Sequence, residues 1–414
     1  MKVLYVGRLF SGLESSLMAG AWRPTGVPTI HRVIERLDRS ADLRLILADK
    51  DAAKIWKEKS DRAVRLEGLR APVLVLAGSA NPEGHMSGIG RELRHAWRIL
   101  VEAIRWRPDV IYIDHANAMA AGLLARLRIA PVVFRVMGVY PVMRQALSGR
   151  SLTLRALQWA YRAPFALVIC SEDGSGGSSW LARALRRGVR AELKLNGVDL
   201  PPTTEPGGPR DGRTNILFVG KLENEKGCDP FIMAFLRALE RASGELHAIV
   251  VGTGARAEAM KALVAQRNAG SSVTFLERVQ HAEILDIQRQ ADIYVSLNRL
   301  GNFSNANLEA IRMGACMIMP AYLPEVGAED PTGRLLPPDA YARIAEPDAV
   351  EELAEKLLEL HRDPALRKKM SERMKAVAER LLPTWQERVD WEVDTLFGLA
   401  GKNAPLQRSE AVGT

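Results

Sequence analysis

Leu217-Phe218-Val219-Gly220-Lys221, followed at once by Asn224-Glu225-Lys226-Gly227, reads as a buried strand that stops at a glycine and a cation and turns into a helix. The same event recurs at the far end of residues 216–319. There a strand gives way to Gly301-Asn302-Phe303-Ser304-Asn305-Ala306-Asn307-Leu308-Glu309-Ala310. Polar, glycine-containing turns between a strand end and a helix start are where α/β proteins hold phosphates and sugars. Lys221 and Lys226 meet phosphate charge, the helix-start amides of Ser304 and Asn305 bond phosphate oxygens, and Glu309 accepts from ribose hydroxyls. That set of groups suits a nucleotide-sugar diphosphate.

Outward from this stretch the chain keeps one rhythm. Short apolar runs at residues 3–6, 43–47, 73–76, 110–113, 132–136 and 166–170 alternate with amphipathic stretches, and the pattern resumes at 216–219, 247–251, 273–276, 293–297 and 315–319. Alternation of this kind predicts parallel sheets covered by helices on both faces. A Pro- and Gly-rich stretch breaks it once, and neither strand nor helix persists through such composition. The expected organisation is a first Rossmann-like domain over 1–200, a linker over 201–214, a second over 215–383, a last helix over 384–400 and a flexible tail over 401–414.

The bulk numbers fit. A chain of 414 residues is long for one core, so two domains are expected. Apolar residues at 47% and charged ones at 26% describe a globular protein, and 57 basic against 49 acidic residues leave a net +8 that suits an anionic ligand or an anionic membrane surface. A nucleic-acid binder is disfavoured, because the basic residues are spread among helices with no aromatic-basic stripe. Cys170, Cys228 and Cys316 lie far apart without zinc spacing, so buried, reduced thiols in a cytoplasmic protein are expected. The first residues read as a strand rather than a signal peptide, and no apolar run reaches the ~18 residues that span a bilayer.

Several local features sharpen the reading. Asp229-Pro230 is expected to cap and open a helix, Ser304 and Asn305 to cap another, and Gly314 to end it. Gly252-Thr253-Gly254 follows a strand as a tight turn, and Arg278-Val279 ends another where backbone groups could face a base edge. Asp49-Lys50-Asp51 spells a metal-binding D-x-D, but capping explains it better. Residues 91–105 place Leu93, Ala96, Trp97, Leu100, Val101 and Ile104 on one helical face and arginines on the other. Packing against a sheet and lying on an anionic bilayer both produce that pattern.

Taken together, Asn196-Gly197-Val198-Asp199, the 220–227 segment, Val251-Gly252-Thr253-Gly254, Val273-Thr274-Phe275-Leu276, Ala291-Asp292-Ile293-Tyr294-Val295 and the 304–310 run resemble a glycosyltransferase of family 4. That resemblance implies an α/β fold of GT-B architecture, two Rossmann-like parallel-sheet domains facing a central cleft. It also implies a nucleotide-sugar donor on the second domain, a glycan or lipid-linked acceptor on the first, and transfer with retention of configuration. No cofactor and no metal are expected, since lysines and helix amides would stabilise the leaving diphosphate.

The donor site would comprise Gly220, Lys221, Lys226, Gly252, Gly254, Arg278, Val279, Asn302, Phe303, Ser304, Asn305 and Glu309. Lys221, Lys226, Glu309 and His115 would carry the catalytic roles. Gly26, His115, Met137 and Gly138 would form the acceptor side. The chain departs from the family at three places. Gly301 stands where the first motif glutamate belongs, leaving Asn298 or Asn302 to touch the donor sugar. Lys221 replaces an arginine, keeping charge but not a bidentate grip. Met137-Gly138 replaces a His-Gly pair, with His115 the nearest alternative. A relative that binds a sugar nucleotide without turning it over therefore stays open.

Overall fold

The computed structural model describes residues 1–50, 56, 60–78, 85–199, 212–277, 279, 281–324, 326, 328–329 and 332–401. The chain forms two compact units. One comprises 1–171, 178–197 and 385–414; the other comprises 172–177 and 198–384. Most of the expected linker, and the tail beyond Gly401, lie outside the described residues.

In the first unit, strands β1 (Lys2–Arg8), β2 (Asp42–Ala48), β3 (Arg62–Val64), β4 (Val73–Leu76), β5 (Val110–Asp114), β6 (Val132–Val136), β7 (Leu167–Ser171) and β8 (Ala191–Lys194) make one sheet. Their order is β3-β4-β2-β1-β5-β6-β7-β8. Every pairing is parallel except β3 with β4. The central strands β5, β6 and β7 are buried along their whole length and mostly apolar, with Asp114 and Arg135 the charged exceptions on β5 and β6, because helices cover both faces. Helices α1 (Glu14–Ala19), α2 (Pro28–Ser40), α3 (His85–Trp106), α4 (Ala118–Leu127), α5 (Pro141–Ala146), α6 (Leu152–Tyr161) and α7 (Gly177–Ala184) connect the strands. The connection from β1 to α2 contains the short helix α1, and α2 opens on Pro28, whose fixed φ suits a first helical position. Helices α3 to α7 share one core with Val6, Ile111, Phe134 and Val168, while α2 packs on the opposite face with Tyr5, Leu45 and Tyr112.

The second unit repeats the plan. Strands β9 (Thr214–Val219), β10 (Leu246–Val251), β11 (Val273–Leu276), β12 (Ile293–Val295), β13 (Met317–Pro320) and β16 (Ala342–Ile344) form a parallel sheet in the order β11-β10-β9-β12-β13-β16. A hairpin of β14 (Tyr322–Leu323) and β15 (Ala328–Glu329) stands apart. The helices are α8 (Cys228–Arg241), α9 (Ala257–Gln266), α10 (His281–Gln290), α11 (Asn305–Arg312), α12 (Thr332–Leu335), α13 (Val350–Arg362) and α14 (Pro364–Leu381). Asp229 does not cap α8. The helix starts two residues earlier, at Cys228 after Gly227 at φ 70°, and Asp229 instead pairs with Arg256 at 2.7 Å.

The last helix, α15 (Trp385–Leu399), belongs to the first unit, where it packs on α2. Its Glu392 is wholly buried with Arg135 Nε 3.1 Å away, and Arg388 and the Tyr112 hydroxyl complete the cluster. The three cysteines are buried and none is in a disulfide. Among the described residues no helix is long and apolar enough to cross a membrane.

Candidate functional site

The second sheet dictates where a ligand belongs. From β9 the chain builds outward through β10 to β11, then returns to β12 on the other side of β9 and continues through β13. Helices leaving β9 and β12 therefore run to opposite sides and leave a crevice at the strands' carboxyl ends, the usual ligand position in an open α/β sheet. A cavity of about 130 Å³ occupies that place. Phe218, Val219 and Gly220 line it from β9, Ser296, Leu297 and Asn298 from β12, and Ser304, Ala306 and Asn307 from the start of α11, with Lys226 between.

Each wall has a local cause. Gly227, at φ 70°, lets the 224–226 turn press on the β12 end, where a Cβ would stand 2.4 Å from the Leu297 Cβ. That closeness aims Lys226 back over Gly220, whose own Cβ would lie 3.7 Å from the Lys226 Cγ. Burial lowers the Lys226 pKa, and the like charge of Lys221 lowers it further while Asp173 opposes. A half-buried ammonium short of compensation gains from an incoming anion. Ser304 caps α11, its hydroxyl accepting from the Asn307 amide at 3.4 Å. Asn307 is held by Ser296, the Asn302 carbonyl and Tyr294. The wall under α11 is thus rigid, and the amide-rich helix start faces the cavity.

The other expected donor residues divide. Gly252 (φ 143°) and Gly254 let the loops after β9 and β10 interlock, since Cβ atoms there would stand 1.9 Å from the Gly220 carbonyl and 2.3 Å from the Leu222 carbonyl. Gly252→Ala should therefore displace the Gly220 turn, costing about 1–3 kcal/mol. A thermal midpoint unchanged from wild type would refute that role. Lys221 is exposed and Asn305 half-buried, and neither lines the cavity. Asn302 and Phe303 are fully buried; Asn302 donates to the Pro320 carbonyl at 3.1 Å, so neither presents its side chain to the cavity. Val279 is half-buried, and Arg278 lies outside the described residues. Glu309 is half-buried on α11, away from the cavity lining. A helix start favours a carboxylate, but burial, aided by the Asp199 charge, outweighs this and pushes the Glu309 carboxyl up to about 7.

Gly301 has a reason for lacking a side chain. It adopts φ 151°, and a Cβ would meet the Asp173 carbonyl at 2.2 Å. Residues 172–177 are laid against this turn, with Phe303 N donating to the Asp173 carbonyl at 3.0 Å. Sequence reading missed Asp173, the acid closest in influence to Lys226, which has no local signal; Asp199 enters that reading only as the end of the 196–199 run, without the charge it brings to bear on Glu309.

In the first unit, His115 opens a single turn after β5, stacked on Tyr140 at 5.3 Å between centroids. Burial lowers its pKa, and its Nδ1 is buried without a hydrogen-bond partner. Its neighbour Asp114 accepts from the Arg8 amide at 2.6 Å and from Asn117 at 2.8 Å, so it braces the backbone. Met137 packs in the α2-side core, Gly138 is buried at φ 137°, and Gly26 (φ 69°) is exposed with open space at its Cβ position. Lys50 of the Asp-Lys-Asp run pairs with Glu92 at 2.7 Å, and Asp51 lies outside the described residues.

A larger cavity of about 580 Å³ in the second unit is lined by Glu225, Asp229 and Asp348 with Arg299. Its acidity suits a diphosphate poorly. Among the described residues no cluster could hold a metal ion.

Residues 203–377 match the family model described as glycosyl transferases group 1. The matched segment contains the whole crevice. Two curated relatives, glycogen synthases from two strains of Mycobacterium tuberculosis, are 25% identical over 222 residues, covering 51% of this chain and 52% of theirs. The chain thus spans about half the length of the curated relatives it matches. Among solved structures, sucrose-phosphate synthase from Thermosynechococcus elongatus superposes with a TM-score of 0.69 at 14% identity, covering 96% of this chain and 98% of that one. The Anabaena protein HepE, solved with UDP, gives 0.64 at 14% identity over 96% and 100%. At such identities the likeness carries the fold alone: α/β, of GT-B type, with two parallel-sheet units.

Proposed function

We propose that the chain is a retaining glycosyltransferase resembling family 4, moving a sugar from a nucleoside-diphosphate sugar to a glycan or lipid-linked acceptor in cell-surface polysaccharide or glycoconjugate synthesis. The observation that carries this is the crevice between β9 and β12, walled by Lys226, Gly220 and the capped start of α11. The glycosyl transferases group 1 match over the same segment supports it. Lys226 and the α11 amides would hold the diphosphate and take up charge as it departs, the role a metal plays in other transferases. Lys221, exposed beside Lys226, would add long-range attraction. Among the described residues that line the crevice there is no carboxylate or histidine, so the donor phosphate would accept the acceptor's proton. HepE was solved with UDP, which makes UDP-sugars the first donors to assay. His115, Met137, Gly138 and Gly26 would serve the acceptor.

Gly301 favours a second reading, in which the chain binds a sugar nucleotide without turnover. A donor panel assayed for both binding and transfer separates the two. Transfer or donor hydrolysis supports the enzyme; tight binding with neither supports the second reading; no binding at all removes both.

The raised Glu309 pKa gives a pH test. A carboxyl lifted from 4.5 to about 7 binds more protons in the folded state than in the unfolded one. Its contribution to stability therefore falls as pH rises through that window. Binding should run the other way. If Glu309 accepts from the ribose diol, it must ionise, so affinity for a nucleotide sugar should rise up to tenfold per pH unit below about 7 and level off above. Titration calorimetry from acid to neutral pH on wild type and Glu309→Gln measures this. Equal slopes in the two proteins would remove Glu309 from the donor site.

A further inference from the structure

The helix layer α3 to α6 of the first unit presents to solvent what such layers usually hide. Ile89, Leu93, Trp97 and Ile104 of α3 are 40%, 63%, 64% and 51% exposed. At 3.6 residues per turn they fall within an arc of about 80°. The inward side of α3 is satisfied separately by Ala96, Ile99, Leu100 and Ala103 in the core. The apolar face expected from sequence is therefore too wide for its sheet, and only part of it packs.

The excess continues across neighbouring helices. Helix α3 packs on α4 and α4 on α6, the second contact so close that a Cβ on Gly122 would stand 2.8 Å from the Ala160 Cα. Leu127 follows at the end of α4, Tyr140 and Val142 at α5, and Leu152 and Trp159 on α6. Arg126 stacks over Trp159 at 3.8 Å, linking α4 to α6 at the surface. Nine of the thirteen exposed large hydrophobic residues of the described chain lie on this layer. Scattered exposed apolar residues need no explanation, but their concentration on one layer does.

The charge selects the occupant. Residues 115–171 contain seven arginines, no lysine and no acid. One of these, Arg135, is buried with Glu392, while Arg128, Arg150, Arg155 and Arg162 are exposed. The nearby acids of α3 are already engaged, Glu92 by Lys50 and Glu102 by Arg44. A second copy would bring one cationic face against another. An anionic lipid surface instead accepts leucine and tryptophan below its headgroups and arginine among them.

We propose that the outer face of α3 to α6 docks on an anionic membrane surface, with Leu93 and Trp97 entering the headgroup region and the arginines holding the phosphates. This goes beyond the donor-site reading and rests on different residues.

The test is co-sedimentation of the full chain with vesicles. One set is phosphatidylcholine alone; the other replaces about one lipid in four with phosphatidylglycerol. Binding is expected only to the anionic vesicles, weakening as salt shortens the screening length. Leu93→Ser/Trp97→Ser should reduce it about tenfold or more, and Arg155→Gln/Arg162→Gln should reduce it while flattening the salt dependence. All four side chains are exposed, so the folded state should persist, with circular dichroism and nucleotide-sugar affinity as the controls. Nucleotide binding lost with vesicle binding kept would count against the donor site and leave the docking face standing. Equal binding to both vesicle types, no binding to either, or binding unchanged in Leu93→Ser/Trp97→Ser would overturn the proposal. So would a dimer in light scattering that this double variant disperses, which would assign the face to a second copy.

Discussion

Lys226→Ala is expected to remove most nucleotide-sugar binding while leaving the second unit folded. The ammonium lines the crevice between β9 and β12, and burial depresses its pKa, so it gains more from an arriving diphosphate than an exposed lysine would. A hydrogen bond to a charged partner contributes about 1.5–3 kcal/mol, or roughly ten- to a hundredfold in affinity. The effect on transfer should be larger, about 10²–10³ in rate, because charge on the leaving diphosphate grows as the glycosidic bond breaks. Lys226→Met separates charge from packing. It keeps the stem that covers Gly220 and should lose binding nearly as fully as alanine does. Lys221→Ala should weaken binding only modestly and in a salt-dependent way, since its side chain is exposed. Calorimetric affinities for both Lys226 variants within a factor of two of wild type would end the assignment of this crevice as the donor site.

Much of that crevice could be read from the sequence because its signals are local. A strand that ends at Gly220, a turn that needs Gly227 and a serine cap at 304 each announce themselves within a few residues. The order of β9 and β12 in the sheet is not local, yet alternation of strands and helices nearly dictates it. What stayed hidden depends on direction or on distance along the chain. Phe303 looks like a ligand-facing loop residue, but the chain leaves β12 with that ring turned into the core. Gly301 reads as a missing carboxylate, whereas the fold places the Asp173 carbonyl where a side chain would begin. Asp229 has the sequence of a cap, but Gly227 already starts the helix. The 91–105 stretch is amphipathic by any periodicity, yet only contact with the sheet distinguishes Ala96 and Leu100, which pack, from Leu93 and Trp97, which do not.

The other large effect lies in the first unit and concerns architecture rather than chemistry. Arg135, on the central strand β6, is fully buried; it donates to the Val136 carbonyl at 2.5 Å and to Ser171 at 3.0 Å, and its Nε faces Glu392 of α15. Burial alone would raise the Glu392 pKa, but the charges of Arg388 and Arg135 hold it below the ordinary carboxylate value. Glu392→Ala leaves two arginines facing each other without their shared counter-ion, and breaking one side of a buried pair costs about 3–5 kcal/mol. For a unit of this size that corresponds to a fall of roughly 6–20 °C in its melting temperature. Trp385 and Trp391, both on α15, make fluorescence a direct reporter. Arg135→Met/Arg388→Met/Glu392→Leu removes all three charges and should recover much of the loss, because the desolvation penalty disappears with the attraction. If Glu392→Ala melts within 2 °C or so of wild type, the cluster does not anchor α15, and the helix is held by Trp385, Val389, Val393 and Leu396 in the apolar core alone. A large loss in Glu392→Ala that Arg135→Met/Arg388→Met/Glu392→Leu fails to restore would instead mean that the charged cluster sets the position of α15 on β6, a geometric role that apolar contacts of similar volume do not reproduce.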